Sequence, residues 1–206
     1  MILLKKKETF SLVPLKKTIS DETGRPLVLI NLQTPRIDGK SPFAARLNSF
    51  YGAASEAFLH FAETDLASLA RAHPENEPCG AVEKSVRRLE TKDFLSLTVD
   101  HTVFDGVSTL PAARHAAVWD KKKGVPLGAD AFFAEGCLAY VNARFSEEHP
   151  GKKIRKELRR DSFYLTPSGV CFFLPGGQSL FLPYTELFSK KFLTKCALPL
   201  VNESER

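Results

Sequence analysis

The chain alternates between short segments typical of β-strands and two longer segments with helical spacing of apolar residues. Residues 9–17 and 27–33 are alternating or continuously apolar, and the Asp, Gly and Pro between them mark a turn, so they predict two early strands. From 43 to 72 apolar residues recur at the spacing of a long helix, which Pro74 follows. A second helix is predicted over 129–147.

Further strands are predicted after the first helix and near the C-terminus. Candidates lie at 81–89 and 94–104, joined by a short turn, and between 163 and 187. Short turns join antiparallel neighbours, because a parallel pair needs a long crossover connection. Runs of strands interrupted by two separated helices favour an α+β fold. We therefore expect an antiparallel meander sheet with the two helices packed on it, in a single domain over residues 1–206.

The composition fits this expectation and excludes wholesale disorder. The chain has 206 residues, of which 43% are hydrophobic and 26% charged, a normal globular balance. The sequence begins with four apolar residues followed by three lysines, so no secretory signal is predicted, and no apolar run is long enough to cross a membrane. We expect a cytoplasmic protein. The four cysteines have irregular spacing without a C-x-x-C pair and are predicted to be reduced thiols.

A net charge of +5 raises the question of a polyanionic partner. The densest basic segment is KKIRKELRR at 152–160, in which Ile154 and Leu158 are four residues apart and could anchor one face of a helix. Because no aromatic residues interleave with these charges, nucleic-acid binding is kept only as an alternative. Its candidate residues are Lys152, Lys153, Arg155, Lys156, Arg159 and Arg160.

One string resembles a catalytic motif. HTVFDG, residues 101–106, is similar to the H-x-x-x-D-G pattern of the chloramphenicol acetyltransferase-like acyltransferases. The resemblance implies that His101 is a general base for an acceptor hydroxyl and that Asp105 holds local structure. Small proteins of that family carry the motif near the C-terminus, whereas 100 residues follow it here. The favoured interpretation is therefore a strand followed by a tight Asp-Gly turn, and an acyltransferase-like enzyme remains an alternative.

No other pattern predicts a metal, cofactor or nucleophile site. The histidines lack metal-ligand spacing, and the glycines match neither a dinucleotide-binding motif nor a P-loop. G-x-S-x-G is absent as well. We expect no metal, no cofactor and no catalytic residue.

Two later segments carry a second resemblance. WDKKKGVPLGADAFF places Asp120, Lys122, Gly124 and Leu127 in a D-x-K-x-G-x-x-L pattern, and FYLTPSG is followed by an apolar strand and LPYTELF. Both resemble, in the same order, the RsiV-type domain of unknown function. That domain is the sensor end of the sigma-V anti-sigma factor, and related modules are appended to some bacterial polysaccharide deacetylases.

This resemblance implies a non-enzymatic binding or sensing module of a bacterium, which recognises a protein or peptide partner through its sheet face or loops. The family's Gly-Gly-Ala-His turn is replaced here by DGVSTLP at 105–111, so no function of that histidine is implied. Lysozyme sensing and sigma-factor inhibition are not implied either.

Overall fold

The computed structural model describes residues 8–148, 162–173 and 178–204. Within these ranges the larger sheet has six strands in the spatial order of the chain. The strands are β1 (Thr9–Ser20), β2 (Pro26–Asp38), β3 (Cys79–Glu90), β4 (Phe94–Phe104), β5 (Ala113–Asp120) and β6 (Val125–Leu127). The sheet is mostly antiparallel, and the predicted α+β class is confirmed.

One strand pair departs from the predicted meander. β1 and β2 form an antiparallel hairpin, but β2 and β3 are parallel, with Val28 opposite Cys79. The reason is the connection, because the long helical segment between β2 and β3 returns the chain to the starting end of the sheet. The expectation of a meander follows from short turns, and no short turn joins β2 to β3.

The predicted helix at 43–72 is confirmed, with one irregular turn. It consists of α1 (Pro42–Phe61), a π-helical turn (Ala62–Leu66) and α2 (Ala67–Ala72). The start is well defined, because the Ser41 hydroxyl accepts a hydrogen bond from the backbone N–H of Ala44 at 3.0 Å and Pro42 stands at the first helical position.

The predicted helix at 129–147 is not continuous and needs correction. The structure has α3 (Ala129–Phe132) and α4 (Cys137–Glu148), separated by four residues. Phe133 leaves the helix with extended backbone angles and pairs with Leu193, and Gly136 has a φ of 85°. A helix cannot continue through this left-handed glycine, so the apolar spacing concealed a break.

The C-terminal strands form a second, antiparallel sheet. It contains β7 (Phe163–Leu165), β8 (Gly169–Phe173) and β9 (Ser179–Pro183), in that order. The chain then forms α5 (Tyr184–Ser189) and α6 (Leu198–Ser204). A separate small sheet was not predicted, since sequence spacing does not show which strands share hydrogen bonds.

The chain divides into two compact units. Unit 1 comprises Met1–Val86, Val99–Arg114 and Lys122–Val125, and unit 2 comprises Arg87–Thr98, His115–Lys121 and Pro126–Arg206. The division runs through four strands, β3, β4, β5 and β6. The assignment of residues 1–206 to a single domain stays a prediction.

Each unit has its own apolar core. In unit 1 the inner face of β2 packs with the π-helical turn and α2, in a cluster that includes Leu27, Val28, Ile30, Leu66 and Ala81. The unit 2 cluster is larger and rich in phenylalanine: Phe94, Phe132, Phe133, Phe145, Phe163 and Phe172. All four cysteines are free thiols. In the part of the chain that the structure describes, no helix has both the length and the apolar character to span a membrane.

Candidate functional site

A groove in unit 1 lies between the hairpin β1–β2 and helix α1. We call it the β1–α1 groove. Its volume is about 470 Å³, within the usual range of ligand pockets. Val13, Leu15 and Leu32 line it from the sheet, and one row of α1 lines it from the other side: Asn48, Gly52, Ser55, Glu56 and Leu59. The groove is therefore mainly apolar, with a few polar groups.

Gly52 helps to keep this groove open. It lies in the middle of α1, where glycine costs about 0.5–1 kcal/mol of stability relative to alanine. A Cβ atom built on Gly52 would meet no heavy atom of the described residues within 4 Å, so their packing does not require glycine here. A side chain at this position would extend into open space along the groove wall.

A chain of hydrogen bonds runs from the groove into the protein. The Thr34 hydroxyl donates to Ser55 Oγ at 2.9 Å, and the Ser55 hydroxyl lies 2.8 Å from both carboxylate oxygens of Glu83. Thr34 and Ser55 line the groove, whereas Glu83 lies behind them and is only 1% exposed. An ionised carboxylate only accepts hydrogen bonds. The hydroxyl groups of Ser55 and Thr34 therefore both donate inward, in the direction of Glu83.

His101 lies at the inner end of this chain. It stands on β4, and its Nε2 is 3.1 Å from Oε2 of Glu83. The ring of Phe58, from α1, stacks on the imidazole with a centroid distance of 4.2 Å and an interplanar angle of 16°. The side chain is 17% exposed. These contacts give His101 a structural role, since it helps to satisfy a buried carboxylate.

Asp105, the second residue of the acyltransferase-like motif, is engaged in its own turn. Its carboxylate accepts hydrogen bonds from the backbone N–H groups of Ser108 at 2.8 Å and Val107 at 2.9 Å. These two bonds lower the pKa of Asp105 below its usual value, because they stabilise the ionised form. Gly106 follows with a φ of 94°. The structure therefore places Asp105 as the residue that stabilises a tight Asp-Gly turn.

Sequence reasoning found His101 but missed Glu83, Ser55 and Thr34. One signal was available in β3. Cys79, Ala81 and Glu83 are spaced two residues apart and therefore share one face of the strand. A carboxylate on the buried face of a strand needs a hydrogen-bond donor as a partner. The partners come from β2, α1 and β4, and their meeting depends on the fold.

The basic residues predicted as an alternative binding segment lie outside the described residues. They are Lys152, Lys153, Arg155, Lys156, Arg159 and Arg160. Within the described ranges, no group of three or more His, Cys, Asp or Glu side chains comes together to hold a metal ion.

Comparisons with known proteins show what the fold resembles. No family model matches the chain, and no curated protein matches it. The fold is similar to the crystal structure of a DUF3298 family member from Bacteroides fragilis NCTC 9343, with 16% sequence identity, a TM-score of 0.67, and coverage of 96% of this chain and 97% of that chain. A DUF3298 family protein from Pseudomonas aeruginosa PAO1 gives 13% identity, a TM-score of 0.57, and coverage of 94% and 98%. The predicted likeness to a domain of unknown function is supported at the level of the fold.

Proposed function

We propose that this protein is a non-enzymatic binding module, which takes an extended segment of a partner protein into the β1–α1 groove. The observation that supports this most directly is Gly52. A glycine in the middle of a helix weakens the helix, and no packing contact with the rest of the described structure requires it here. An open groove for a ligand accounts for the glycine.

The apolar wall of the groove supports the same proposal. Val13 and Leu15 on β1 are 41% and 38% exposed, and they line the groove together with the buried Leu32. Adjacent exposed apolar side chains in a concave surface are typical of binding sites. An extended segment could bury these side chains along the length of β1.

The open edge of β1 is a less suitable site than the groove. β1 is the terminal strand of the six-stranded sheet, and such an edge could accept another strand. However, Pro14 lies in the middle of β1 and has no N–H to donate, and Lys16 and Lys17 follow it. Proline and lysine are common means of protecting sheet edges from strand addition. We therefore place the partner in the groove and not on the edge.

We further propose that the chain is related to the RsiV-type sensor domain. The D-x-K-x-G-x-x-L and F-Y-L-T-x-x-G patterns support it, and the similarity to DUF3298 structures is compatible with a domain of that kind. We propose on this basis a bacterial, cytoplasmic module whose role is recognition.

Selection from a random peptide display library tests the proposal. The full chain would be used as bait in three forms: wild type, Gly52→Ala and Gly52→Phe. We expect Gly52→Ala to enrich the same peptides as the wild type but to bind them severalfold more weakly, because even a methyl group narrows the groove. Gly52→Phe should lose these peptides, because its ring would occupy the groove. Peptides that bind all three forms with equal affinity would show that the groove is not the binding site, and so would an absence of enrichment on the wild type.

The acyltransferase alternative makes a different prediction. If His101 is a catalytic base, His101→Ala abolishes acyl transfer and leaves thermal stability unchanged. The contact between His101 and Glu83 instead predicts that His101→Ala lowers the thermal stability, because the variant leaves a buried carboxylate without one of its donors. Thermal unfolding of His101→Ala, compared with the wild type, distinguishes the two.

A further inference from the structure

The β1–α1 groove contains the Thr34 hydroxyl, which is left to act as an acceptor, and the Glu56 carboxylate, which has no ion-pair partner among the described residues. Together they define a ligand class. We infer that the groove binds a basic side chain, lysine or arginine, of the partner segment. The aliphatic stem would pack on Val13, Leu15 and Leu59, and the charged head would meet Thr34 and Glu56. This inference rests on the proposed function, since it names the ligand of the same groove.

The direction of the hydrogen-bond chain supports a donor on the ligand. Glu83 can only accept, so Ser55 must donate its hydroxyl hydrogen to Glu83. The Thr34 hydroxyl also donates inward, to Ser55 Oγ at 2.9 Å, with Oε1 of Glu83 as a longer second acceptor at 3.4 Å. Thr34 therefore offers the groove a remaining acceptor lone pair and no donor. An ammonium or guanidinium group, which only donates, is complementary to it.

The charge of the groove supports a cation. Two charged side chains line the groove, Arg36 and Glu56. Arg36 has an acidic neighbour, with its Nε 3.5 Å from Oδ1 of Asp38. Glu56, in contrast, is exposed and makes no ion pair with any of the described residues. Arg36 and Glu56 leave the lining without net charge, but Glu56 is the one of the two that has no ion-pair partner among the described residues.

The apolar lining suits the stem of a long basic side chain. Lysine and arginine bury their methylene groups on apolar surfaces while the charged head stays in a polar environment. Val13, Leu15 and Leu59 supply such a surface beside Thr34 and Glu56. A short cation would not use it, and an apolar side chain of the same length would leave the acceptor of Thr34 without a ligand donor.

An NMR titration with matched peptides tests this inference. The blocked tripeptides Ac-Ala-X-Ala-NH2 would carry lysine, arginine or norleucine at X, and norleucine has a stem like that of lysine without the ammonium. We expect the lysine and arginine peptides to shift the backbone amide signals of Thr34, Gly52 and Leu59. Their affinity should be roughly tenfold higher than that of the norleucine peptide, as a charge-assisted hydrogen bond provides.

Two variants examine the two polar groups separately. Glu56→Gln removes the charge and keeps the shape, so it should reduce the preference for lysine over norleucine severalfold. Glu83→Gln introduces an amide donor that can reverse the hydrogen-bond chain, and it should reduce the same preference without altering the groove surface. Gly52→Phe should abolish the shifts for every peptide.

The outcomes separate this inference from the proposed function. If norleucine binds the groove as well as lysine does, the basic-side-chain inference is overturned and a binding groove remains. If no peptide shifts the groove signals and the display selection also fails, both proposals are overturned. An unchanged preference in both Glu56→Gln and Glu83→Gln would likewise overturn the inference, because the cation would then be recognised elsewhere.

Discussion

The interiors of the two units of the chain are built from different kinds of side chain. Unit 2 fills its core with phenylalanine rings, such as Phe163, whose centroid lies 5.1 Å from that of Phe133 and 5.8 Å from that of Phe132. Unit 1 places a carboxylate, Glu83, beneath helix α1 and surrounds it with hydroxyl and imidazole groups. Glu83 is also the one charged residue among the described residues that is fully buried.

This difference indicates where the chain has a requirement beyond stability. Ring packing contributes burial and dispersion without the cost of desolvating polar groups. A buried carboxylate loses its hydration and recovers it only through well-placed donors. Unit 1, which contains the buried carboxylate, also contains the β1–α1 groove. The hydrogen bonds that lead from Glu83 through Ser55 end at Thr34 on the groove wall.

The largest effect should come from truncating a ring in unit 2. Phe163→Ala removes a fully buried side chain that contacts three other rings, so we expect a loss of about 3–5 kcal/mol in the free energy of unfolding. Urea denaturation measures it. Phe181→Ala is the control, because that ring is 47% exposed and should change stability by no more than about 1 kcal/mol. Equal losses in the two variants would contradict the description of the unit 2 core.

A somewhat smaller effect is expected from Glu83 in unit 1. Glu83→Ala leaves the Ser55 hydroxyl and the His101 ring without their acceptor, and should cost about 3 kcal/mol by urea denaturation. Glu83→Gln keeps the size of the side chain and one acceptor oxygen, so its loss should be less than half of that. If Glu83→Ala is as stable as the wild type, the hydrogen-bond chain does not help to hold unit 1 together.

Two glycines of unit 1 should respond to alanine in opposite directions. Gly124 has a φ of 65°, and a Cβ there would lie 3.1 Å from the Cα of Phe43, so Gly124→Ala should cost about 1–2 kcal/mol. Gly52→Ala should instead stabilise by about 0.5–1 kcal/mol, because alanine favours a helix and meets no clash. Thermal unfolding compares the two variants directly. A destabilised Gly52→Ala would mean that packing, and not the groove, explains this glycine.

The smallest effect is expected from Asp105 and depends on pH. The pKa of Asp105 is lowered in the folded protein by the N–H groups of Ser108 and Val107. A carboxyl whose pKa is lower folded than unfolded stabilises the protein above the unfolded value of about 3.9 and loses this contribution as the pH falls through the folded value. The midpoint temperature of Asp105→Ala should therefore lie below that of the wild type at neutral pH and approach it in acid. A difference that does not depend on pH would contradict this role.

Much of the fold could be predicted from local patterns. The helix at 43–72 and the strands at 81–89 and 94–104 follow from apolar spacing and turn residues. The break in the predicted helix at 129–147 could not be predicted in this way, because Phe133 and Gly136 become irregular through contacts with a segment some 60 residues later in the chain. Apolar spacing reports which face is buried, but it does not report whether the backbone stays helical.

The candidate site was predicted less well than the fold. HTVFDG drew attention to His101, and the favoured interpretation of a strand and a tight turn agrees with where His101 and Asp105 lie. The groove itself is formed by residues from three separate segments of the chain, with Gly52 between Asn48 and Glu56 on α1. None of these has an unusual sequence context, and their common surface appears only when β1, β2 and α1 are assembled.

The hydrogen-bond chain from Thr34 to Glu83 has a consequence for how related proteins diverge. The residue that would touch a ligand, Thr34, can stay the same while its donor or acceptor behaviour is reset by an exchange at Glu83, which no ligand reaches. Two homologues with identical groove surfaces could then prefer different ligands. Comparisons of surface residues alone would overlook such a change, and the interior position 83 would be the one to compare.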